Sequence, residues 1–209
     1  MKDQTLKYSF GLFSTILFVG LLYKLTKTPG GIILPGYFLG CMVLIVVLIV
    51  SLFATAIAKL IFKTNSFLTL FTIVTTIAFI ALHYWLYSPT LKIIVPKGYS
   101  GQVTLVLSNV DKNILTIDKN GIGYITKWTF DKTYTPPIVT DSNGEKLNNL
   151  CVGFNPSTFW GKGVATSFKY SGKINFISFS ITPKDTLGKD QDYGINFTEF
   201  VDTTKLTKE

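Results

Sequence analysis

Few residues in this chain have side chains suited to catalysis, and their spacing limits what they can do. The 209 residues include one His and two Cys. His83 stands beside Tyr84 and Trp85 at the end of an apolar run, so a nucleophile–His arrangement would have to be built at that edge. Cys41 lies in an apolar run and Cys151 in polar sequence; this argues against an intrachain disulfide and leaves too few ligands for a protein-built zinc site. Asp118-Lys119-Asn120-Gly121 and Asp141-Ser142-Asn143-Gly144-Glu145 look like fragments of calcium loops. Neither reaches a Glu at the position an EF-hand requires, and tight turns select Asp, Asn and Gly for their own reasons. Gly161-Lys162-Gly163 lacks the upstream glycine and the following Ser or Thr of a phosphate loop. No catalytic residue, metal ligand or cofactor is expected.

One loop could bind. In Asn155-Pro156-Ser157-Thr158-Phe159-Trp160-Gly161 the aromatic pair Phe159 and Trp160 is flanked by turn residues. The two rings either form an exposed anchor for a partner or glycan, or fold back over the end of their domain.

Composition divides along the chain. Residues 1–87 carry six Lys and one Asp, and residues 88–209 carry fourteen Lys against eleven Asp plus Glu, giving +5 and +3 and the total of +8. The positive charge of the first part sits at the ends of apolar runs, as membrane flanks do. There is no Arg, the side chain best suited to reading phosphate and guanine, so nucleic acid is not an expected partner.

The apolar runs predict three transmembrane helices over about 8–24, 35–61 and 67–87, none with a charge in its interior. No small-x-small cleavage site ends the first, which argues against a signal peptide. With the N-terminus inside, Lys2, Lys7, Lys59 and Lys63 are cytoplasmic, whereas Lys24 and Lys27 lie outside. Tyr23, Tyr37, Tyr84, Trp85 and Tyr87 then all fall at the outer interface. Gly36 and Gly40 form a GxxxG, and Thr69, Thr72 and Thr76 share a helix face; both sets suit close helix packing, within this chain or on a partner. The helices read as an anchor or assembly surface.

From Leu91 the pattern changes to period two. Gln102–Ser108 alternates cleanly. Leu115–Ile117 and Ile122–Thr126 flank an Asn-Gly turn and predict a hairpin. Val164–Tyr170 and Ile174–Thr182 predict another around Ser171-Gly172, and Ile195–Val201 a last strand. In Val95-Pro96-Lys97-Gly98-Tyr99-Ser100-Gly101-Gln102-Val103, Pro96 stops a strand, the glycines permit a reversal and Tyr99 is expected to pack. Seven to nine short strands with almost no helical periodicity predict an all-β domain over 88–209, a two-sheet β-sandwich.

The run Val103–Asn109, Leu115-Thr116-Ile117-Asp118-Lys119-Asn120-Gly121 and Ile122-Gly123-Tyr124-Ile125 resembles the opening of transthyretin-like or carboxypeptidase-regulatory-like sandwich modules. The spacing Pro96-x-Gly98-Tyr99-x-Gly101-x-Val103 is similar to an envelope domain common in Bacteroidota. Asp185-Thr186-Leu187 and Asp202-Thr203-Thr204 resemble acceptor motifs of O-glycosylation in that group. The resemblance supports the sandwich fold; together with the Lys placement, the expected location is a bacterial inner membrane, N-terminus cytoplasmic and C-terminal domain periplasmic. The resulting expectation is a non-catalytic integral membrane protein, an accessory or scaffold subunit whose partners are the lipid bilayer and other membrane or envelope proteins. A membrane-anchored ligand- or glycan-binding module, or an enzyme with an unfamiliar site, are the alternatives.

Overall fold

The computed structural model of the chain describes residues 2–26, 36–152, 161–167, 170–182 and 197–206. They divide into two compact units, Met1–Tyr87 and Ser88–Glu209. The first contains helices α1 (Lys2–Leu25), α2 (Gly36–Ile61) and α3 (Phe67–Trp85). All three are long and apolar enough to cross a membrane. The start of α3 is set by Ser66, whose hydroxyl accepts from Thr69 N at 3.2 Å and so satisfies one orphan donor of the first turn. At the end of α2, the Lys59 ammonium donates to Lys63 O at 2.8 Å and covers a carbonyl beyond the last turn. Helix α1 begins six residues before the expected Tyr8, because Lys2, Gln4 and Lys7 are good helix formers even though they are polar.

Helix α3 is central, packing against both α1 and α2, which touch each other less. Leu21, Leu25, Leu44, Phe79 and Leu82 form the buried cluster, with Phe18 and Phe79 tilted at 5.7 Å between centroids. The outward side chains are apolar as well: Leu12, Ile16 and Val19 on α1, Ile45, Ile49 and Phe53 on α2, Ile77 and Ile80 on α3.

The second unit is strand-rich, with two sheets. Its elements are β1 (Lys92–Val95), β2 (Gly101–Leu107), β3 (Ile122–Ile125), the short helix α4 (Lys127–Lys132), β4 (Ile138–Asp141), β5 (Cys151–Val152), β6 (Gly161–Ser167) and β7 (Tyr170–Ile181). Strands β1 and β4 pair in parallel, Ile93 opposite Val139. The larger sheet runs β3-β2-β7-β5, with β6 also on β7. One core joins the two: Ile93, Val95 and Val139 pack with Val103, Leu105, Ile125, Ile177, Phe179 and Ile181. The far face of the larger sheet is covered too, since Val106, Ile122, Tyr124 and Ile174 cluster with Val201 and Leu206.

Several expected elements take a different form. The Asp118–Gly121 turn is present, closed by Gly121 N donating to Asp118 O at 3.1 Å. Its first limb, however, makes a bridge rather than a ladder: Ile114 pairs antiparallel with Tyr124, while Thr116 pairs in parallel with Ile94 of β1. Strand β3 instead runs parallel to β2, Thr104 opposite Ile122. The reversal expected at Ser171-Gly172 falls earlier, because Ser167 pairs with Tyr170 and Ser171-Gly172 lies within β7. The expected last strand is, in its described part, a 3₁₀ turn at Phe197–Glu199. Thr198 and Val201 are buried there, so this segment covers the sheet face instead of extending its edge. The short helix α4 was not expected either; Thr126 caps it, its hydroxyl accepting from Thr129 N at 3.3 Å.

Candidate functional site

The helix-packing residues divide between two seams. Gly36 opens α2. Gly40 lies against Leu25 of α1: a Cβ there would stand 2.8 Å from Leu25 Cδ1 and Cγ and overlap Cδ2. Thr69, Thr72 and Thr76 line α3, with Thr69 and Thr76 buried. Thr76 Oγ1 lies 2.7 Å from Thr72 O in its own helix and 3.3 Å from Phe10 O of α1. Thr72 Cγ2 would be 3.8 Å from a Cβ on Gly11. Gly40 therefore meets α1 from α2, and Thr72 and Thr76 meet α1 from α3, while the hydroxyl of Thr69 stays at the start of its own helix beside Ser66.

A further pair of residues joins the α1–α3 seam, and spacing alone did not single it out for that role. His83 Nε2 is 2.9 Å from Leu17 O, and its ring fits because Gly20 has no side chain, a Cβ there lying 3.2 Å from His83 Cε1. The Lys24 ammonium donates to His83 O at 3.1 Å, covering a carbonyl in the last turn of α3. His83 thus locks two helices together at the end where the exposed rings of Tyr23, Tyr84 and Trp85 also gather.

In the second unit Phe159 and Trp160 lie outside the described residues, as does Asp185-Thr186-Leu187. The carboxylates of the two loop motifs serve their turns: Asp118 Oδ1 accepts from Asn120 N and Ile122 N, and Asp141 Oδ1 from Asn143 N and Glu145 N, all at 2.8–2.9 Å. Among the described residues no three His, Cys, Asp or Glu side chains gather to hold a metal. Burial pushes the Cys151 thiol up to about 11, so it is a poor nucleophile at neutral pH. Tyr99 packs on the core, and its hydroxyl donates to Gln102 O at 2.6 Å.

One surface is assembled from segments far apart in sequence. On β1 and β4 the residues alternate, Ile93, Val95, Val139 and Asp141 inward and Lys92, Ile94 and Ile138 outward. The register sets Ile94 between Thr116 and Thr140, and Thr140 beside Lys146. Two residues back along β1 and β4 come Lys92 and Ile138, opposite each other in the ladder. The outer face of this layer therefore presents Ile94 and Ile138, 42 % and 39 % exposed, with Lys92 next to both. Apolar side chains on neighbouring strands of one ladder adjoin, unlike isolated exposed residues.

The class so defined is a chain of three helices long and apolar enough to span a membrane, followed by a strand-rich region with two sheets. No family model matches the chain, and no curated protein does. Among solved structures, that of a "Putative Lipoprotein from Bacillus anthracis" aligns with 53 % of this chain and 84 % of its own, at 11 % identity and a TM-score of 0.26. A likeness of that size carries no argument about fold or function.

Proposed function

We propose that the chain is a non-catalytic integral membrane protein of a bacterial envelope, an accessory or scaffold subunit in which three membrane helices carry a β-sandwich outside the cytoplasm. The membrane assignment is supported by helices apolar outside as well as inside, the pattern of a segment solvated by lipid. The exposed rings of Tyr23, Tyr84 and Trp85 at one end match an interfacial belt. The distribution of Lys, with Lys2, Lys7, Lys59 and Lys63 at the other end, supports a cytoplasmic N-terminus. The two sheets facing each other across one core support the sandwich.

The observation that carries the scaffold role is the outer face of the β1–β4 layer. Ile94 and Ile138 expose apolar surface on neighbouring strands, and Lys92 next to both gives that surface a charge for a partner's carboxylate to meet. A photo-crosslinking residue at Ile94 or Ile138, introduced in the native membrane, is expected to capture one discrete protein. The same residue at Ser142, in an exposed turn, is not. A lone monomer from both patch positions, together with a lone monomer on gentle detergent extraction, overturns the reading.

A further inference from the structure

A second feature of the β unit is independent of that docking face. Strands β2 and β7 pair from Gly101–Ile181 to Val106–Phe176, and there they part. Strand β7 continues back to Tyr170 on β6 alone. Strand β2 turns aside, with Ser108 N donating to Ile125 O at 3.0 Å and Asn109 N to Lys205 O at 2.8 Å. The parting leaves a cleft of about 390 Å³. Its rim is built from Asn109 beyond β2, Thr126 and Lys127 at the start of α4, and Lys173 and Asn175 on β7, with Leu206 among the apolar residues that line it.

The strand pattern explains why these groups converge. Ile174 is buried in the cluster on the far face of the sheet, so Lys173 and Asn175, either side of it, stand together on the opposite face. Among the described residues, no carboxylate lines the cleft. Lys127 pairs with Asp131 at 3.1 Å, but both side chains are more than half exposed, and such surface pairs yield readily to a competing anion. Asp202 is bound to Lys205 and Thr204 and does not line the cleft. Among the described residues, the side chains of Asn109, Lys173 and Asn175 have no hydrogen-bond partner. Two lysines and two amide side chains, these unpartnered among the described residues, therefore line one space, with apolar surface beneath. Cations are repelled by such a site, and an anion on a small polar body is its complement. The volume lies within the ~300–1,000 Å³ range usual for small-ligand pockets.

We propose that this cleft is a binding site for a small anionic ligand, a carboxylate or phosphate group on a hydroxyl-bearing body. Lys173 and Lys127 hold the charge, and Asn109 and Asn175 bond the neighbouring hydroxyl or anion oxygens.

The test is calorimetric titration of the full-length protein in an uncharged detergent with galacturonate, galactose 6-phosphate, inorganic phosphate and neutral galactose. At least one anion is expected to bind, more weakly as salt rises, with galactose weaker by tenfold or more. Binding of galacturonate alone assigns a carboxylate ligand, and binding of the phosphates alone assigns a phosphate ligand. Lys173→Gln is expected to weaken binding about tenfold, in line with loss of one charge-assisted contact. Asn175→Ala is expected to weaken it less, and Lys162→Gln, on β6 and outside the cleft, to leave it unchanged. Urea midpoints equal to wild type confirm that the variants fold. No binding by any anion, equal binding of galactose, or a Lys173→Gln protein that folds and binds as wild type overturns the proposal.

Discussion

Gly121 gives the sharpest test of how the β unit is assembled. Its φ is +82°, in the left-handed region, and a Cβ there would overlap both Tyr99 Oη and the Gln102 carbonyl oxygen. Neither neighbour is free to move. The Tyr99 hydroxyl donates to that same carbonyl at 2.6 Å, and Gly121 O accepts from Thr104 N at 2.7 Å. Gly144 is the natural control, with a φ of +85° and nothing within 4 Å of a Cβ. Gly144→Ala should therefore cost only the left-handed strain, ~1–2 kcal/mol. Gly121→Ala should add overpacking of ~1–3 kcal/mol and the loss of the tyrosine bond at ~1 kcal/mol, or ~3–6 kcal/mol in all. With a urea slope of about 2 kcal/mol/M, the midpoints should fall by about 0.5–1 M for Gly144→Ala and about 1.5–3 M for Gly121→Ala. The assay is equilibrium urea unfolding of the full-length protein in detergent by tryptophan fluorescence. Adding Tyr99→Phe to Gly121→Ala removes one of the two overlaps and should recover only part of the loss. Equal shifts for the two single variants would refute the packing argument and leave φ as the whole effect.

Other outcomes follow from single contacts. Burial, with the charge of Asp118 adding to it, pushes the Tyr99 hydroxyl from 10.0 up to about 12. The fold favours the neutral phenol, so the stability it contributes is complete below pH 10 and is lost as pH rises from 10 to 12. An alkaline series of urea midpoints should fall more steeply for wild type than for Tyr99→Phe; parallel curves would count against this. Gly40→Ala drives a methyl into Leu25 and should destabilise the helices by ~1–3 kcal/mol, and Leu25→Ala in the same chain should relieve part of that in a double-mutant cycle by thermal denaturation. Thr75 Oγ1 is buried on α3 without a hydrogen-bond partner, so Thr75→Val should be neutral or stabilise by up to ~1 kcal/mol. Thr76→Val removes the contacts to Thr72 O and Phe10 O and should destabilise by ~0.5–1 kcal/mol in the same denaturation series.

How far the sequence reveals this structure depends on whether an element's surroundings repeat along the chain. The three helices are legible because each is one long apolar run without interior charge, so no distant contact is needed to recognise it. Strand β2 is legible because alternation marks it, and the turns at Asp118–Gly121 and Asp141–Gly144 because their side chains close them locally. Ile122-Gly123-Tyr124-Ile125 is legible as a strand but not as the parallel partner of β2, because it is buried on both faces and its second cover is the distant segment around Val201 and Leu206. Helix α4 is too short to show a helical period. The same limit governs the sites. The exposed pair Ile94 and Ile138 exists only once β1 and β4 set the register. The role of His83 depends on Gly20 and Leu17, which lie more than sixty residues away.

The measurement that tests the central proposal most directly is the side of the membrane on which the β unit lies. A single cysteine at Asn143, in the exposed Asp141–Gly144 turn, is introduced into a Cys41→Ser, Cys151→Ser background and exposed to a membrane-impermeant maleimide. A matching cysteine at Thr64, between α2 and α3, reports the other side. In cells whose outer membrane alone has been permeabilised, labelling at position 143 with protection at position 64 until lysis is the expected result. Protection at 143 with labelling at 64 would reverse the orientation, and labelling of both would contradict three spans altogether.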